Sequence, residues 1–126
     1  MGLAALGGGA LQRLARDMPM KEAMKLVLTG ERIGAQEALR IHLVNGVVPH
    51  GDLMPAARRL AQAVLECAPL AVQASKQVML QSRNMPSLQA SMAMAYGLAD
   101  KMLTSEDAIE GPRAFADKRK PRWLGR

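Results

Sequence analysis

The side chains able to do chemistry are few. His42 and His50 are the only imidazoles in the 126 residues. Neither has a Ser, Cys or carboxylate at a spacing that suits a nucleophile–base pair, and without acidic or thiol neighbours they make a poor metal site. Both read as structural or surface residues. Cys67 stands alone, so the chain holds no internal disulfide and no thiolate metal site. It closes an apolar helical pattern with Leu60 and Val64 and reads as a buried structural thiol. Glu31, Glu37 and Glu110 are isolated carboxylates, while Glu22–Lys25 and Glu106–Glu110 have ordinary helical spacing. No residue is assigned a catalytic role and none a metal-binding one.

Two features do point toward a ligand. Gly7-Gly8-Gly9 precedes a helix, where backbone N–H groups can meet a phosphate or an oxyanion. It lacks the lysine of a P-loop and the spacing of a dinucleotide fingerprint, so a plain tight turn competes with that reading. The second feature is the C-terminus. After Gly111, Arg113, Lys118, Arg119, Lys120, Arg122 and Arg126 face Asp117 alone, which accounts for most of the net charge of +6. The same stretch holds the only Phe, Phe115, and the only Trp, Trp123. Such a cluster attracts nucleic acid, anionic lipid or a nucleotide-bearing cofactor. A solvated, frayed tail is the competing reading. Nucleic acid is disfavoured, because aromatic interleaving and a recognition-helix motif are both missing.

The elements that position these groups read as helices with one extended piece. Glycines open a helix over Ala10–Ala15, and Pro19 begins a second one that Gly30 ends. Met20, Ala23, Met24, Val27 and Leu28 form its apolar stripe. A third helix runs from Ala35 to Ile41, with Ala35, Ala38, Leu39 and His42 on one side. The β-branched run Val44–Val48, bounded by Pro49 and Gly51, predicts a strand. Asp52 caps a helix that turns Ala57, Leu60, Ala61 and Val64 inward. Pro69 opens a helix to about Arg83. Ser87 starts a long helix striped by Leu88, Met92, Ala95, Ala99 and Met102. Thr104 or Ser105 caps the last helix, which Pro112 should kink or divide near Gly111.

Composition agrees with a helical chain of one-domain size. Aromatics make up 2%, and ten Met with many Ala take their place. No apolar run reaches the length of a membrane span and no secretory leader is evident, so the cytoplasm is the expected location. A boundary falls near Cys67–Pro69. The helices beyond it carry small, Met-rich faces too wide for so short a segment to bury, which predicts packing on another chain or domain.

Several runs, in order, carry a family resemblance. Gly7-Gly8-Gly9 followed by Gln12-Arg13-Leu14 is one. Leu28-Thr29-Gly30-Glu31-Arg32-Ile33-Gly34-Ala35-Gln36-Glu37-Ala38 is a second, and Leu43-Val44-Asn45-Gly46-Val47-Val48 a third. Pro69-Leu-Ala-Val-Gln-Ala-Ser-Lys76 and Ser105-Glu-Asp-Ala-Ile-Glu-Gly-Pro-Arg-Ala-Phe-Ala-Asp-Lys-Arg-Lys-Pro121 complete the set. In these the chain resembles the C-terminal half of the enoyl-CoA hydratase/isomerase (crotonase) family. His42 stands where the family has glycine.

The resemblance implies the C-terminal portion of an α/β crotonase (ClpP-like spiral) fold, mostly α-helical with one or two short strands. Residues 1–67 would end the spiral core and 68–126 would form a helical trimerisation region. It implies a coenzyme A thioester as substrate, no prosthetic group and no membrane or nucleic-acid partner. A homo-oligomer follows, a trimer or a dimer of trimers, with the family's N-terminal half as a further partner. Phe115 and Lys118 match family residues that reach the adenine–phosphate end of CoA bound to a neighbouring subunit. Gly7, or Leu6 if no gap is allowed, matches a glycine whose N–H lies near the catalytic water. The family's oxyanion donors and both acid–base glutamates would precede Met1, so the isolated chain is expected to be inactive.

Overall fold

Glycine and proline set the limits of the helices in the first part of the chain. The structure, a computed structural model, describes residues 7–126. These fold as two compact units, one ending at Leu53 and one of Met54–Arg126. In the first, a 3₁₀ turn over Gly7–Gly9 leads into α1 (Ala10–Asp17). Gly8 and Gly9 take φ of 70° and 72°, a left-handed backbone that glycine adopts without a steric penalty. α2 (Met20–Thr29) begins after Pro19 and ends at Gly30, whose N–H donates to the Leu26 carbonyl at 3.0 Å. α3 (Ala35–Arg40) follows.

Met18, Ala23 and Ile41 form the buried centre of this unit, with Leu14, Leu26 and Ile33 packed against them. The inward face of α2 is therefore set by Ala23 and Leu26. Met20, Met24 and Leu28 of the expected stripe are exposed instead. Arg40 ties α3 to α2. Its Nε and Nη2 each donate to Glu37 at 2.7 Å, and Nη2 reaches Glu22 at 3.3 Å. That hydrogen bonding from Arg40 holds the Glu37 carboxyl below the usual carboxylate range.

α3 ends in a Schellman motif. The His42 N–H donates to Leu39 at 3.1 Å and the Leu43 N–H to Ala38 at 2.8 Å. The motif needs a left-handed residue, and His42 supplies it at φ 61°. His42 thus lies past the helix rather than on its apolar side. The Val44–Val48 run forms no strand, a correction to the expected one or two short strands, and no strand occurs among the described residues. The N–H of Val44 turns back to Ala38 at 3.4 Å. An extended segment becomes a strand only beside a hydrogen-bonding edge, and none is present among the described residues.

The second unit is helical. α4 (Leu53–Leu65) follows directly on a 3₁₀ turn over His50–Asp52. α5 (Pro69–Ser82) has Pro69 at its first position, where the missing N–H costs nothing. α6 (Leu88–Ala93) is capped by Ser87, whose Oγ accepts the Ala90 N–H at 3.1 Å. α7 (Gly97–Leu103) packs on α5, where Leu70 and Ala74 are buried with Tyr96. Gln77 Oε1 accepts the Leu98 N–H at 3.0 Å, satisfying a donor at the start of α7. α8 (Glu106–Ala116) is capped by Ser105, whose Oγ accepts the Ala108 N–H at 3.2 Å.

Three expectations fail here for physical reasons: the long helix, the inward face of α4 and the buried Cys67. The long helix from Ser87 is two: the backbone turns extended at Met94, and the Ser91 carbonyl takes the Met94 N–H at 3.3 Å and the Tyr96 hydroxyl at 2.9 Å. A continuous helix would have offered that carbonyl to Ala95. Of the two outcomes expected at Pro112, division near Gly111 does not occur: α8 runs through it, although the missing N–H leaves the Ala108 carbonyl without its helical partner. Leu60 and Val64 of α4 are exposed, not inward. Cys67 is exposed as well. A helix face predicted from period alone is buried only if something in the chain covers it, and α4 has no such cover within its unit.

Candidate functional site

The C-terminal segment is not a frayed tail. Past Ala116 it folds back along α8, and its end is fastened where the Glu106 N–H donates to the Arg126 carbonyl at 2.7 Å and Arg126 Nε to Glu106 at 3.1 Å. Arg119 places a two-pronged ion pair on Glu110, Nη1 to Oε1 at 2.6 Å and Nη2 to Oε2 at 2.9 Å. The Arg122 N–H donates to the same carboxylate at 2.7 Å. The buried Asp107 accepts the N–H groups of Leu124 at 2.7 Å and Gly125 at 2.9 Å. The Trp123 indole N–H donates to the Glu66 carbonyl at 2.8 Å, and its ring lies against Gly111, where an added Cβ would come within 3.4 Å.

Glu110 is thus not isolated. The Arg119 hydrogen bond, with the Arg122 N–H second, brings its carboxyl down to about 2 from the ordinary 4.5. Its reach along the chain is what hid it: the partners lie nine and twelve residues on, outside any helical period. Asp107 escaped notice in the same way. The acids at the start of α8 suggested only a favourable end for the helix dipole.

Phe115 and Lys118 come together at the end of α8. Phe115 occupies the last turn and is 88% exposed, which is unusual for the sole phenylalanine of a chain short of aromatics. Lys118 follows the helix at φ 51°. Its N–H donates to the Phe115 carbonyl at 3.2 Å and the Arg119 N–H to Ala114 at 3.0 Å, so α8 also ends in a Schellman motif with a non-glycine at the left-handed position. Such a residue costs about 1 kcal/mol relative to glycine. Lys118 is exposed and, with Arg113, Lys120 and Arg122, makes no ion pair among the described residues. Beside them, Glu106, Ile109, Glu110, Arg113, Arg119, Arg122 and Leu124 line an open groove.

Gly7 belongs to the first unit, as the first residue of its 3₁₀ turn. Arg13 donates to the Gly8 carbonyl, which braces that turn. Leu6, the alternative match, lies outside the described residues. His42 and His50 are both exposed, and no group of three or more His, Cys, Asp or Glu side chains is placed to hold a metal ion among the described residues. No helix among them is long and apolar enough to cross a membrane.

Known proteins resemble this chain in sequence and fold. The sequence pattern of the enoyl-CoA hydratase/isomerase family matches residues 1–126. The chain belongs to that family. The carnitinyl-CoA dehydratase of Escherichia coli (strain K12) is 43% identical over all of this chain and 49% of its own length. A crystal structure of an enoyl-CoA hydratase from Mycobacterium marinum is 41% identical with a TM-score of 0.89, covering 99% of this chain and 49% of that one. An enoyl-CoA hydratase structure from Bacillus anthracis is 32% identical with a TM-score of 0.89, over 95% of this chain and 46% of that one. The chain spans about half the length of the curated relatives it matches. Its fold is accordingly that of the enoyl-CoA hydratases, represented in part.

Proposed function

We propose that this chain is the C-terminal part of an acyl-CoA enzyme and supplies scaffold and a grip on the CoA tail. The observation that carries this is the pairing of an exposed Phe115 ring with an unpaired Lys118 ammonium at one helix end. An aromatic face suits adenine and an ammonium suits phosphate. The names of the relatives, a carnitinyl-CoA dehydratase and enoyl-CoA hydratases, support a CoA thioester as ligand. In the whole enzyme the reaction would be hydration or double-bond isomerisation of an enoyl-CoA. Gly7, or Leu6, would set a backbone N–H near the catalytic water.

The 126 residues taken alone would not turn over an enoyl-CoA. General acid–base chemistry on the thioester needs paired carboxylates and two oxyanion donors. Asp107 and Glu110 are committed to the tail, and Glu37 and Glu22 to Arg40. A homotrimer, or a dimer of trimers, in the cytoplasm is the expected setting. Calorimetric titration of the full chain with CoA tests the grip. Lys118→Ala and Phe115→Ala should each weaken binding about tenfold, an effect of roughly 1.4 kcal/mol. Native-like affinity in both variants would refute it. Turnover of crotonyl-CoA by the pure chain would refute the claim of inactivity.

A second reading rests on the exposed Leu88, Met92, Leu103 and Ile109 of the second unit. Such faces suit a non-catalytic oligomerisation and CoA-binding module. Binding of DNA in preference to CoA at physiological salt would instead favour an anionic-surface or nucleic-acid binder.

A further inference from the structure

Lys118 is held in a backbone conformation that a lysine does not choose for itself. In a Schellman motif the residue after the left-handed one commonly makes an apolar contact back onto the helix. Here that residue is Arg119, and the contact is the two-pronged ion pair to Glu110. The same carboxylate takes the Arg122 N–H at 2.7 Å, so the chain is fastened immediately after Lys118 and again three residues later. On its other side Lys118 is joined to α8 by its N–H bond to Phe115. A flexible four-carbon side chain is thereby mounted on a backbone fixed from both directions.

We propose that Glu110 is a positioning residue: through Arg119 and the Arg122 N–H it fixes the backbone at Lys118, and so keeps the ammonium where the 3′-phosphate of a CoA tail meets it. This rests on the reading of Lys118 as a CoA contact. Glu110 itself touches no ligand, since both of its oxygens are taken by the tail. Fixing the cation before the anion arrives removes part of the ordering cost of binding, which a loose lysine would bear at that moment. The Glu110 contribution should therefore appear only where the 3′-phosphate is there to be met.

The test is calorimetric titration of the full chain with CoA and with 3′-dephospho-CoA. Glu110→Gln keeps the size and an acceptor for Arg122 but loses the ionic fork. It should weaken CoA about three- to tenfold and change 3′-dephospho-CoA less than about twofold. In a Lys118→Ala background the same substitution should cost nothing further. Arg119→Lys keeps the charge without the fork and should repeat the pattern, which carries the test if Glu110→Gln fails to fold. Equal weakening of both ligands, no weakening, or a full Glu110→Gln effect without Lys118 overturns this inference alone. A Lys118→Ala chain that still prefers CoA as strongly as the native one overturns the underlying reading, and this one with it.

Discussion

The Asp107 carboxylate receives the Gly125 N–H at 2.9 Å, which fastens the second-last residue of the chain to the first turn of α8. Its other oxygen receives Leu124 at 2.7 Å. One buried acid thus closes a loop that contains Phe115, Lys118 and all of the basic cluster but Arg126.

Asp107→Ala should accordingly lower stability by about 3 kcal/mol, because it removes a buried acceptor and leaves two backbone donors of a packed segment without partners. Asp107→Asn keeps one acceptor oxygen and should lose about half as much. Urea unfolding measures the difference. Trypsin provides a second measurement: cleavage after Arg122 should become fast in the Ala variant. Slow cleavage there, unchanged from the native chain, would show that the tail is held by something else.

Acid should loosen the tail through Glu110. Its carboxyl lies at about 2 in the folded chain, below the ordinary 4.5. A depressed value means that its contribution is complete above pH 4.5 and is lost as the pH falls toward 2. Trp123, the only tryptophan, sits on the same tail and reports its seating by fluorescence. The native chain should show an emission change confined to the acid side of 4.5. In Glu110→Gln that change should already be present in part at neutral pH. An identical acid profile in the variant would show that Glu110 does not govern the seating of the tail.

Much of the helix punctuation was legible because it depends on neighbours in the chain. Gly30, Pro69, Ser87 and Ser105 start or stop helices where their own backbone chemistry demands. What escaped depends on distant partners. Where the helix stops at Met94, the Tyr96 hydroxyl takes the Ser91 carbonyl, and no periodicity announces that. Glu110 and Asp107 reach forward to residues whose place is known only once the tail has folded back. The exposed Cys67, Leu60 and Val64 show the opposite limit: an apolar period marks a face suited to burial without saying what covers it. Phe115 and Lys118 were legible only through the resemblance, since spacing alone cannot tell a CoA contact from a surface residue.

The two left-handed non-glycine residues allow a direct comparison. His42 and Lys118 occupy the same position in equivalent Schellman motifs, at φ 61° and 51°. Glycine at either site relieves strain, partly offset by the greater freedom of the unfolded chain, so each substitution should stabilise by about 0.5–1 kcal/mol. Thermal unfolding would register both gains. CoA titration should separate them: His42→Gly should bind as the native chain does, while Lys118→Gly should bind about tenfold more weakly. Loss of affinity in both would place the effect in general stiffness rather than in the ammonium.

The α6 helix carries the clearest unburied apolar edge. Leu88 and Met92, one turn apart, are 76% and 77% exposed, and neither contributes to the buried centre of its unit. Large apolar groups left in water at helical spacing are stabilised by meeting another surface, at about 25 cal/mol for each Å² covered. If copies of this chain associate through that edge, Leu88→Glu with Met92→Glu should reduce the assembly to a monomer. The helix itself should survive, since Ser87 still caps it and Glu in its first turn favours the dipole. Sedimentation velocity would report the mass and circular dichroism the helix content. An unchanged oligomer in the double variant would move the interface away from α6, to the exposed side chains Leu103 and Ile109 farther along the unit.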